Sequence, residues 1–291
     1  MVSPARRRAA VHYLVRRHKV SERRACKVIG QHRSTQRYEG VPGDYELKLV
    51  KRMNELADAH PRYGYRMVWA LLRSEGWAIN RKRIERLWRL EGHRVPPKRT
   101  KKGKKAGGHD GNAIWNLPAT RPNHIWSYDF MGDRLRDGTA LRIFNVVDEY
   151  TRVGLASHVD RSIGAAEVIV QPDHLFRTKG KPEYIRSDNG REFIAASVGE
   201  WLDERGVKTA FVEKGSPQQN AFVERFNGTM RDEVLNREEF DTLAEADVVV
   251  NRWRNEYNRH RPHRGLGFKT PFAFADEARK EIARERAKGT E

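Results

Sequence analysis

Three carboxylates stand at intervals that suit shared chemistry. Asp129 lies in a strand-like run, Asp188 follows fifty-nine positions later, and thirty-five residues separate Asp188 from Glu224. Acidic side chains that meet in space can hold two divalent cations, and paired metals drive in-line attack on phosphodiesters. The chain carries a formal charge of +18, so its expected partner is a polyanion. An acidic centre in a basic protein points to chemistry performed on nucleic acid.

The surroundings of each carboxylate favour this reading over a solvated one. Asp129 sits between Trp126 and Phe130 in Ile125 to Met131, a run of alternating character. A buried aspartate needs partners there, and a metal is one that suits it. Asp188 opens the turn Asp-Asn-Gly190 directly after a strand-like segment. Alone that is only a turn, but sites in α/β sheets collect at the carboxyl ends of strands. Glu224 falls on a helix expected from Asn220 to Leu235, where Asn220, Glu224 and Arg231 (i, i+4 and i+11) share one broad face. Asn220 and Arg231 are expected to flank the carboxylate and reach for phosphates. The preceding Gly215 to Gln219 is a candidate flap over the site.

The elements that must position these residues are readable from periodicity and punctuation. Ile125–Met131, Leu141–Val147 and Thr151–His158 read as three strands, the first two joined by the turn Arg136-Asp-Gly138. Ala165–Lys179 reads as a helix that Pro172 should kink or split. Tyr184–Ser187 and Lys208–Phe211 read as strands around a helix at Ala196–Arg205. This order predicts an α/β fold, a mixed sheet with helices on its faces.

The front third is different. Residues 1–108 hold 29 Lys and Arg against 9 Asp and Glu, a net of +20, whereas the remaining 183 residues net −2. The region is all-α in pattern and reads as two helix-turn-helix-type DNA-binding segments, 1–40 and 41–95. In the first, residues 5–18 carry the apolar stripe Val11, Leu14 and Val15; Ser21 caps a second helix, Gly30 ends it, and Ser34 to Tyr38 forms a short third. In the second, Leu47, Val50, Met53 and Leu56 mark a helix over 45–59, and another runs through Leu71 and Leu72 to near Gly76. Asn80 caps a last helix with Ile84, Leu87, Trp88 and Leu90 turned inward. Its Arg81, Lys82, Arg83, Arg86 and Arg89 are left for phosphates or guanine edges. Residues 96–117, rich in Pro, Gly and Lys, read as a flexible basic linker. Residues 118–275 follow as the catalytic domain and 276–291 as a charged helical tail.

Four motifs, in order, resemble the DDE transposases of bacterial insertion sequences, members of the retroviral-integrase superfamily. They are Trp126-Ser-Tyr-Asp129, Ser187-Asp-Asn-Gly-Arg-Glu-Phe193, Gly215-Ser-Pro-Gln-Gln-Asn-Ala-Phe-Val-Glu-Arg-Phe-Asn-Gly228 and a closing set. That set, Trp253-Arg-Asn-Glu-Tyr-Asn258, Arg261-Pro-His263, Leu266-Gly267 and Thr270-Pro271, is similar to the insertion-sequence-three branch and its second reading-frame product. The resemblance implies a ribonuclease-H-like domain in which Asp129, Asp188 and Glu224 bind two Mg²⁺ or Mn²⁺ ions per active site. Arg231, seven residues past the glutamate, would hold the element's end. The implied reaction is nicking of insertion-sequence ends, followed by strand transfer of the freed 3′-hydroxyl into target DNA. The implied partners are those DNAs, further copies of the chain on them, and the upstream reading-frame product.

Departures from the superfamily are also legible. One cysteine, Cys26, excludes the zinc module of two His and two Cys found in retroviral integrases. Cys26 reads instead as a small core residue, and a lone cysteine fits a reducing cytoplasm. No apolar run is long enough to span a bilayer, so the expected location is cytoplasmic, on the nucleoid. Some twenty residues follow Pro271, too few for a retroviral-type terminal barrel. His260, Arg261, His263 and Arg264 are candidates for DNA contact near the site rather than for metal. Two alternatives stay open: a nuclease of this fold that does not join ends, and a DNA-binding regulator without activity.

Overall fold

The computed structural model describes residues 4–38, 43–96, 117–187, 196–211 and 220–288. The chain divides into two units, residues 1–54 and 55–291.

In the first unit, α1 (Pro4–His18), α2 (Glu22–Ile29) and α3 (Arg33–Arg37) surround a small core. Val11, Ala25 and Cys26 are buried there against Leu14, Val15, Val20 and Ile29. Ser21 caps α2 by accepting from the Arg24 amide, and Gly30 ends it in the left-handed region at φ 67°, which glycine enters without steric cost. The third helix starts one residue earlier than its sequence suggests, because His32 supplies the cap through Nδ1 to the Ser34 amide.

Helix α4 (Asp44–Ala59) crosses into the second unit. Its buried stripe contains Leu49, Met53 and Leu56, while Leu47 is exposed. The inward face is therefore rotated from the stripe expected on spacing alone. Next come α5 (Tyr65–Ser74) and α6 (Arg81–Leu90), the latter capped by Asn80 Oδ1 accepting from the Lys82 amide at 2.9 Å. Ile84, Leu87 and Trp88 are buried as expected, but Leu90, in the last turn, is 72% exposed.

The rest of the second unit is built on a five-stranded sheet in the order β3-β2-β1-β4-β5. The strands are β1 (Ile125–Arg134), β2 (Ala140–Asp148), β3 (Gly154–Asp160), β4 (Tyr184–Ser187) and β5 (Lys208–Phe211). The first three form an antiparallel meander, and β4 and β5 add parallel to β1. This is the ribonuclease-H-like mixed sheet. Pleating turns alternate β1 residues to opposite faces, and each face has its own core. Trp126, Tyr128, Phe144, Val146 and Ile185 pack with α7 (Ala165–Lys179) and α8 (Ala196–Glu204). Ile143, Val147 and Val159 pack with α9 (Ala221–Met230) and α10 (Leu243–Arg259). The last helix is α11 (Pro271–Lys288).

Two local expectations change. Of the kink or split expected at Pro172, the split does not occur: α7 is one element, with Val168, Pro172 and Leu175 buried in it. The helix after Asn220 is not uniform either. It leaves the α form at Met230 and continues as a π turn, Arg231–Leu235, closed by the Asn236 amide on the Arg231 carbonyl at 2.9 Å.

Gly154 explains how closely α9 can approach. A Cβ there would stand 2.6 Å from the Phe226 ring, so only glycine admits the contact. Strand β3 is also an edge whose backbone groups need partners. Asn258 exchanges two hydrogen bonds with Gly154, both 2.9 Å; Arg254 donates to the Leu155 carbonyl at 3.0 Å and Asn251 to that of Ser157 at 3.1 Å.

Candidate active site

Asp129 lies on the central strand, opposite Asn145 of β2, and is half-buried on the face covered by α9. Its Oδ1 accepts from the Phe130 amide at 2.8 Å and its Oδ2 from Asn227 Nδ2 at 3.0 Å. Asn227 is three residues beyond Glu224, one turn along the same helix. Residues so spaced share a face, with Cβ atoms about 5–6 Å apart. Glu224 itself is exposed to solvent.

Asp188 lies outside the described residues, as does the expected flap at 215–219. The chain reaches it from β4, whose last residue is Ser187. Strands β1 and β4 pair in parallel, with Ser127 opposite Arg186. Those two residues each stand two positions before a candidate carboxylate, and a buried glutamate joins them. Glu149 is 0% exposed and accepts from Arg186 Nη1 at 2.8 and 2.9 Å and from the Ser127 hydroxyl. Arg186 also donates to the Leu117 carbonyl at 3.0 Å. Burial pushes the Glu149 carboxyl up from its ordinary value, while Arg186 draws it down. Among the described residues no group of three or more His, Cys, Asp or Glu is placed to hold a metal; Asp188 is not one of those residues.

The other expected contacts fall in three settings. On α6, Arg81, Lys82, Arg86 and Arg89 are exposed and Arg83 is half-buried, with Arg89 paired to Glu85 at 2.7 Å. Around the carboxylates, Asn220 is 3% exposed at the start of α9, with Nδ2 3.5 Å from the Tyr128 carbonyl. Arg231 donates to the Gly132 carbonyl and meets Asp133 at 3.5 Å, bracing α9 against β1.

The third setting is the junction of α10 with the segment between α4 and α5. Arg261 is half-buried there and pairs with Glu233 at 2.9 Å, its guanidinium 5.6 Å from both the Tyr63 and Tyr257 ring centres. Trp253 Nε1 donates to the same Glu233 at 3.1 Å. His263 lies edge-on to Tyr257, 4.7 Å between centroids. Burial, helped by the positive charges of Arg261 and Arg152, pushes its imidazole down to about 3.

Sequence reasoning overlooked Ser127, Asn145, Glu149, Ser157, Arg186 and Asn227. The signal was present in part: Asn145 interrupts the apolar run Ile143 to Val147, and Asn227 repeats the Glu224 face one turn later.

The comparisons agree with this architecture. Integrase core domain models match residues 119–217 and 205–271, and an HTH-like domain model matches 44–101. An uncharacterized 31.7 kDa protein of insertion element IS407 from Burkholderia multivorans is 38% identical over 260 residues, 89% of this chain and 92% of that one. A 39.2 kDa protein of insertion element IS476 from Xanthomonas euvesicatoria is 36% identical, covering 97% of this chain and 80% of the other. The transposase of insertion sequence IS904 from Lactococcus lactis is 27% identical across 73% of this chain and 87% of its own length. Fold and matches together define an integrase-core protein with an HTH-like domain. The chain belongs to the DDE transposases of bacterial insertion sequences, of the insertion-sequence-three type.

Proposed function

We propose that the protein nicks the ends of an insertion sequence and transfers the freed 3′-hydroxyl to target DNA, with Asp129, Asp188 and Glu224 as the catalytic carboxylates. The observation that carries this reading is the docking of α9 on β1 at Asp129, through Asn227 at 3.0 Å, which sets Glu224 one turn from that contact. The donor set fits hard divalent cations: Asp129 and Glu224 offer carboxylate oxygens, the ligands that suit Mg²⁺ or Mn²⁺. Two such ions per site would activate the attacking oxygen and stabilise the leaving one.

In the first step water attacks a phosphodiester at the element's end. One P–O bond forms and one breaks, leaving a 3′-hydroxyl and a 5′-phosphate. In the second, that hydroxyl attacks a target phosphodiester; its proton is lost, and the displaced target oxygen gains one. The number of phosphodiesters is unchanged in the second step, so no energy source is needed. The exposed cations of α6 (Arg81, Lys82, Arg86 and Arg89) would bind the DNA backbone. Pairing two ends calls for more than one copy of the chain on the DNA.

The test is a strand-transfer assay with a labelled end oligonucleotide and a target plasmid in Mg²⁺. Joined product is expected from the wild-type protein. Cleavage that never yields joined product would support a nuclease instead, and end binding without cleavage a silent regulator.

A further inference from the structure

Three buried polar side chains run in series behind Asp129. Ser157 on β3 donates from its hydroxyl to Asn145 Oδ1 at 2.6 Å, and Asn145 on β2 donates from Nδ2 to Asn227 Oδ1 at 2.8 Å. Asn227 on α9 donates from Nδ2 to Asp129 Oδ2 on β1 at 3.0 Å. Asn145 is 0% exposed, Ser157 4% and Asn227 8%. The polarity of the series follows from its end. An ionised carboxylate only accepts, so Asn227 must offer its amide nitrogen. Its oxygen then requires a donor, which orients Asn145, whose own oxygen requires the Ser157 hydroxyl. Each amide has one orientation that satisfies both neighbours, so the series has a single arrangement. Three sheet strands and the helix bearing Glu224 are thereby tied to the position of one carboxylate.

We propose that Asn227 is a positioning residue for Asp129 and that Asn145 and Ser157 hold Asn227 in register. The series fixes the Asp129 carboxylate relative to Glu224, one turn away on the same helix, and so sets the site's affinity for a divalent cation. This rests on the metal-dependent reading above. Partners that orient a ligating carboxylate are worth about 10–100-fold in metal affinity. Asn227 also gives α9 a polar anchor within a largely apolar interface formed by Val223, Phe226 and Met230.

The experiment is a titration of the full-length, DNA-free protein with Mn²⁺, free ion being read by electron paramagnetic resonance and folding by circular dichroism. Absence of Mn²⁺ binding by the wild-type protein would count against the metal reading itself and remove the basis of the series. Given wild-type binding, Asn227→Asp, which sets an acceptor against Asp129, and Asn227→Leu are expected to bind Mn²⁺ at least about tenfold more weakly. The Mn²⁺ needed for half-maximal cleavage should rise in parallel, while end binding stays unchanged. A folded Asn227→Leu with wild-type Mn²⁺ affinity overturns the proposal. Ser157→Ala removes only the far hydroxyl and keeps the test decisive should the Asn227 variants fail to fold. It is expected to weaken Mn²⁺ binding less than they would but measurably, and unchanged affinity would refute the series.

Discussion

Arg186 donates to both carboxylate oxygens of Glu149, at 2.9 and 2.8 Å, with the glutamate fully enclosed and the arginine side chain 9% exposed. Because Ser127 pairs in register with Arg186 and also donates to Glu149, the pair bridges β1 and β4 just before both strands reach their candidate carboxylates. Removing one member of a buried pair leaves the other charge unsolvated, at a cost of about 3–5 kcal/mol. Glu149→Gln is therefore expected to lower unfolding free energy in urea by that amount. A loss below about 1 kcal/mol would show the bridge dispensable.

Arg261 and Lys82 should respond in opposite ways to truncation. Arg261 is enclosed with Glu233, their side chains 16% and 10% exposed, so Arg261→Ala is expected to cost about 3 kcal/mol of stability. Lys82 is exposed on α6. Lys82→Ala should leave stability within about 0.5 kcal/mol and reduce the salt dependence of DNA binding by about one phosphate contact. Urea unfolding and salt-titrated binding of end DNA measure the two effects. A stable Arg261→Ala with weakened DNA binding would return Arg261 to the DNA surface.

The half-buried His263 makes stability depend on pH. Its imidazole lies at about 3 in the fold against an ordinary 6.5, chiefly through burial. As pH falls below 6.5 the unfolded chain takes up a proton that the folded chain refuses. The stability held by the neutral ring is whole above that value and declines by up to about 1.4 kcal/mol per unit below it. Urea unfolding at about pH 7.5 and about pH 5 should show His263→Phe losing roughly 1–2 kcal/mol less than the wild type on acidification. Equal losses would mean that the ring protonates freely in the fold.

Features governed by neighbouring residues were legible in the sequence. Ser21 and Asn80 cap as their types suggest, and β4 and β5 fall where β-branched and aromatic residues lie between turn residues. What escaped depends on residues distant in the chain. Spacing turned Leu47 and Leu90 inward, yet the packing that decides burial leaves both exposed and takes Leu49 instead. Residue type marked Arg261 and His263 as candidates for DNA contact, but Glu233, Tyr63 and Tyr257 pack against them from other elements. The spacing of Asp129 and Glu224 was visible. The amide between them was not, because Asn227 gains its meaning only from β1 and β2.

The most direct measurement compares wild-type protein with Glu224→Gln on a labelled end oligonucleotide in Mg²⁺, reading binding and cleavage on the same sample. Glu224 is exposed, so the variant should fold and bind the end as the wild type does. The expected result is undiminished binding with cleavage reduced by at least about a thousandfold, the scale on which a lost metal site acts. Wild-type cleavage by Glu224→Gln would contradict the assignment of this carboxylate to the reaction.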